Sequence, residues 1–130
     1  MNLTELATDL AHRVRADGPA SNAVTLGLQL TVAVWAAVEP ADIDTELRWG
    51  LAAIAARGVL DTLDPQPAHR VDVPPDALAA AQAVTAAAAV ADLLSAIADA
   101  FTAADRPGPH SATWYRDSAQ ELRDAAAALS

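Results

Sequence analysis

The sequence predicts an all-α fold: one domain over residues 1–130, a bundle of about five helices, mostly antiparallel, with a buried uncharged second helix. Three observations carry this. Alanine, the strongest helix former, supplies 35 of the 130 residues. The β-branched and aromatic side chains that strands favour are few, aromatics making up 4%. Larger apolar residues recur at three- and four-residue spacing in segments divided by Pro and Gly. A chain this long buries roughly two-thirds of its unfolded surface and needs no staple to fold.

The first helix opens on Asn2 with Glu5 three residues on, the spacing of a capping box. Leu3, Leu6, Leu10 and Val14 then share one face, and Asp17-Gly18-Pro19 ends the segment. The second runs from about Ser21 to Val38, inside a 21-residue stretch without a charge. That length is enough to cross a membrane. Yet Ser21, Asn22, Thr25, Gly27, Gln29 and Thr31 interrupt it, and no basic or aromatic flank precedes it, so a helix buried in the bundle is the expectation.

Glu39-Pro40 breaks the chain, and Asp42-Ile43-Asp44 offers negative charge to the N-terminus of a third helix reaching about Leu63. This helix has two apolar faces. Leu47, Leu51, Ile54 and Gly58 fall within about 60° of one another at 100° per residue. Trp49, Ala52, Ala56, Leu60 and Leu63 lie roughly opposite, with Arg48 and Arg57 in the seams. Asp64 to Pro75 reads as a stiff Pro-rich linker. A fourth helix is expected from about Pro75 to Asp105, long enough to call for curvature or a break, with Val90, Leu93, Leu94, Ile97 and Phe101 as its apolar stripe. After Asp105-Arg106-Pro107-Gly108-Pro109, Ser111 caps a fifth helix whose Tyr115, Ser118, Leu122, Ala125, Ala126 and Leu129 face the core.

Composition excludes several chemistries. With no Cys there is no thiolate nucleophile, disulfide, iron–sulfur cluster or zinc–thiolate site. With no Lys there is no Schiff-base or P-loop lysine. Both zeros, with the excess of Ala and Arg, fit a high-GC bacterium's codon usage. A net charge of −9 argues against nucleic-acid and anionic-membrane partners. No basic stretch leads into an apolar run at the amino terminus, so a cytoplasmic protein is expected.

Glu5, Asp9 and His12 have a metal-like spacing, but the paired motifs that helical di-metal sites need are missing, and a solvated face with an Asp9–Arg13 pair explains them. No metal and no cofactor is expected. Asp92, Ser95 and Asp99 form a polar stripe on the fourth helix, read as its water-facing side. No Gly-Xaa-Ser-Xaa-Gly elbow is present, and no complete catalytic set emerges.

Two functions follow from different classes. The first is a small acidic interaction protein, self-associating as a homodimer or binding a protein partner through Trp49, Leu60, Leu63 and Trp114, with the Pro-rich linker contributing. The second is a small-molecule-binding protein or minor enzyme of specialised metabolism. Its pocket lies between helices near Gln29, with Thr25, Trp35 and Tyr115 lining it, because amides in an uncharged segment must find partners when buried.

Overall fold

The computed structural model describes residues 2–37, 43–63, 80–103 and 110–130, with backbone alone at 37 and 80–82. They form five helices: α1 (Leu3–Asp17), α2 (Asn22–Ala37), α3 (Ile43–Leu63), α4 (Ala80–Ala103) and α5 (Ala112–Leu129). Among the described residues there is no strand, and the helices pack against one another in a single bundle. The expected linker Asp64–Pro75, the start of the fourth helix near Pro75 and the 105–109 break lie outside the described residues.

Local signals set the ends of α1 and α5. The Asn2 side chain accepts from the Glu5 backbone N–H at 2.8 Å while the Glu5 carboxylate accepts from the Asn2 backbone N–H, a complete capping box. Gly18 closes α1 with φ +79°, a conformation that side chains with a Cβ avoid, and its N–H donates to the Val14 carbonyl at 2.8 Å. Ser111 caps α5 by accepting from the Trp114 backbone N–H at 3.1 Å.

The packing order makes a ring: α1 against α2, α2 against α3, α3 against α5, α5 against α4, and α4 back against α1. α2 is buried along Ala23, Val24, Leu28, Leu30, Thr31 and Val34, as its lack of charge requires. Across the middle of the ring α2, which also touches α1 and α3, meets α4, which also touches α1 and α5. α4 is as strongly apolar. Its window Ala83–Ala103 is the one among the described residues long and apolar enough to cross a membrane, and half of that window is buried inside the bundle. Val90, Leu93, Leu94, Ile97 and Phe101 are all buried. Alanine on every helix lets the backbones come close, so these few large side chains fill the core.

Two glycines show how tight the approach is. A Cβ at Gly27 of α2 would lie 3.2 Å from methyls of both Leu93 and Ile97, which are fully buried and have nowhere to move. A Cβ at Gly50 of α3 would lie 3.2 Å from Trp35 Nε1, on a side chain 42% exposed and free to give way. Removing a mid-helix glycine gains about 1 kcal/mol of helix propensity, and overpacking a core costs about 1–3 kcal/mol. Gly50→Ala is therefore expected to leave the thermal midpoint unchanged or raise it, and Gly27→Ala to lower it. Equal shifts in calorimetry would contradict this packing.

Candidate interaction surface

Both faces of α3 are apolar, and only one fits inside the bundle. Trp49, Gly50, Ala52, Ala53, Ala56 and Val59 are buried. On the other side Ile43, Leu47, Leu51 and Ile54 are 84, 58, 52 and 68% exposed. These four, with Trp35 and Val84, are the large apolar side chains exposed among the described residues. Isolated exposed aliphatics are ordinary on a protein surface; four in one continuous stripe are not.

The inward choice has a steric cause. α2 and α5 flank α3, and the small residues Gly50, Ala52, Ala53 and Ala56 let them close in, with Trp49 filling the space beneath. Gly58 extends the outward stripe, and a Cβ there would meet nothing within 4 Å.

The residues expected to form an interface therefore sit elsewhere. Trp49 is 1% exposed and belongs to the core, so it cannot reach a partner; Leu60 and Leu63 pack on the core, half-buried. Trp114 is half-buried too: its indole stacks on His110 with centroids 4.1 Å apart, meets Phe101 and Tyr115, and donates from Nε1 to Thr62 Oγ1 at 3.0 Å. That cluster ties the end of α3 to α4 and α5. The stripe that does face outward, Leu47, Leu51 and Ile54, is visible in the periodicity, and Ile43 joins it one turn earlier.

The residues expected around a ligand, Thr25, Gln29, Trp35 and Tyr115, have different surroundings. Tyr115 is buried and packs edge-on against Phe101, centroids 5.3 Å apart. Trp35 covers Gly50 at the surface; Thr25 and Gln29 are half-buried, and Gln29 has an interaction partner. Asn22 accepts from Arg13 at 2.8 Å, so Arg13 serves Asn22 rather than Asp9. Thr31, fully buried, donates back to the Gly27 carbonyl at 3.1 Å. Among the described residues no buried side-chain polar atom lacks a hydrogen-bond partner. The depressions of about 240, 270 and 290 Å³ among the described residues are lined by other side chains than Thr25, Gln29, Trp35 and Tyr115. Among the described residues no three His, Asp or Glu side chains gather as a metal would need.

The polar stripe of α4 is a seam rather than a plain solvated face. Asp92 accepts two hydrogen bonds from Arg15 of α1, at 2.7 and 3.0 Å, and Asp99 accepts from Arg123 of α5 at 3.3 Å. Hydrogen bonding from Arg15, with a smaller contribution from the charges of Arg15 and His12, holds the Asp92 carboxyl below the usual aspartate value despite some desolvation. A carboxylate with a depressed folded-state pKa adds stability at neutral pH that disappears as pH falls through that lowered value. Both side chains are about half exposed, which limits the pair to about 0.5–1 kcal/mol. Asp92→Asn is expected to lower the unfolding free energy from urea titration at neutral pH by that amount, the gap closing below the ordinary aspartate range. A gap that persists in acid would contradict the pairing.

No family model, curated protein or solved structure matches the chain.

Proposed function

We propose that this chain is a small acidic helical-bundle interaction protein that self-associates through the outward face of α3, without a complete catalytic set. The observation that carries the reading is the unbroken stripe of Ile43, Leu47, Leu51 and Ile54, each at least half exposed. Full burial of an aliphatic side chain is worth about 1.5–3 kcal/mol, so these partly exposed ones contribute about 1–2 kcal/mol each. Eight such side chains in a symmetric pair give about 8–16 kcal/mol against at least about 4 kcal/mol of lost freedom, a balance centred near the roughly 8 kcal/mol of micromolar dissociation. The polar rim is present too: Asp44 and Arg48 pair at 3.1 Å beside the stripe, and Glu121 and Asp124 border the 270 Å³ depression next to Leu51.

Because association stabilises only the folded chain, the thermal midpoint should rise with protein concentration across the micromolar range. A midpoint independent of concentration counts against the reading.

A further inference from the structure

The outward stripe is nearly symmetric about Leu51, and its ends are unlike each other in a way that fits a second copy running in the opposite direction. Ile43, the most exposed large side chain, stands eight residues before Leu51, and Gly58, with open space where a Cβ would be, stands seven after it. Glu46 and Arg57 are eleven residues apart, three turns of helix, so they lie on one line along the flank that also carries Gly50. Both are exposed, and neither bonds another described residue.

Resting on the self-association proposed above, we infer that two copies pair α3 against α3 antiparallel, about a two-fold axis at Leu51, with Glu46 of each copy meeting Arg57 of the other. In an antiparallel two-fold pair, residues meet when their numbers sum to a constant, and each flank faces its own equivalent. Leu51 on Leu51 sets that constant, and the same register brings Leu47 over Ile54, Ile43 over Gly58 and Glu46 beside Arg57, all within one residue. The most exposed side chain of the stripe thus enters the gap left by the glycine, and one acid and one base on the same flank satisfy each other twice. A parallel pair would set Ile43 against Ile43, leave Gly58 facing a void, and part Glu46 from Arg57.

The absence of cysteine from the chain makes single introduced thiols clean reporters of this geometry. In a glutathione redox buffer, Leu51→Cys should cross-link to itself well above the rate of Arg116→Cys, an exposed control on α5. Ile43→Cys should not cross-link to itself, since antiparallel pairing puts the two positions about 24 Å apart at 1.5 Å per residue. Mixed with Gly58→Cys it should form the heterodimer. Separately, Glu46→Arg or Arg57→Glu should weaken association several-fold, and the double exchange, which keeps the net charge at −9, should restore it.

If the natural chain dimerises but Ile43→Cys links to itself as readily as Leu51→Cys, or no α3 thiol exceeds the control, the antiparallel pairing is overturned. The first of those outcomes leaves α3 self-association standing. If the natural chain is monomeric at all concentrations, self-association falls with it.

Discussion

Replacing Leu51 and Ile54 together by glutamate is expected to make the protein monomeric at every accessible concentration while leaving its unfolding free energy, measured in the dilute monomeric regime, within about 1 kcal/mol of the natural chain's. The two halves of that expectation come from the same fact. Both side chains are more than half exposed, so removing them takes little from the core, and the new carboxylates stay hydrated in a monomer. In a pair about Leu51, however, four carboxylates would be forced into one apolar seam, where burying an unpaired charge costs several kcal/mol. Light scattering and urea titration on the same samples read the two effects separately. Loss of folding in the double variant would mean the face is covered within the protomer.

The opposite pattern is expected for Trp49. It is 1% exposed among the small residues through which α3 meets its neighbours. Trp49→Ala removes that volume from a site whose surroundings are alanine and cannot collapse far, and such truncations cost about 3–5 kcal/mol. For a chain of this size the thermal midpoint should fall by roughly 10–20 °C. Urea unfolding of Trp49→Ala, beside the Leu51 and Ile54 double variant, separates core from surface on a single helix. A Trp49→Ala chain that kept its stability but lost association would reverse the two faces.

That reversal marks how far the sequence could be read. The capping box at Asn2 and Glu5, the end at Gly18, the Ser111 cap and the inward face of α5 depend on residues a few positions apart, so they were legible without knowing the fold. The two-faced nature of α3 was legible as well. Which face turned inward was not, because hydropathy ranks Leu51 and Ile54 at least as apolar as Trp49 and Ala52. The decision was steric and made by other helices: α2 and α5 approach on the side that offers Gly50, Ala52, Ala53 and Ala56. The inward face carries one large aromatic, Trp49, amid small residues.

The polar positions were hidden for a similar reason. Asp92 and Asp99 look like one solvated stripe until Arg15 and Arg123 arrive from α1 and α5, and those partners are 77 and 24 residues away. Thr25 and Gln29 suggested a cavity because amides in an uncharged segment need partners when buried. Within the bundle Gln29 has an interaction partner, exposed Asn22 accepts from Arg13, and buried Thr31 donates to the backbone of its own helix.

Sedimentation equilibrium of the natural chain over a wide concentration range is the most direct test of whether the α3 face is a self-association surface. The average mass is predicted to rise from the 13.4 kDa of one chain toward twice that value within the micromolar range, and to stay at 13.4 kDa when Leu51 and Ile54 are both glutamate. A natural chain that remains at 13.4 kDa throughout, or a double variant that associates as strongly as the natural chain, would contradict it.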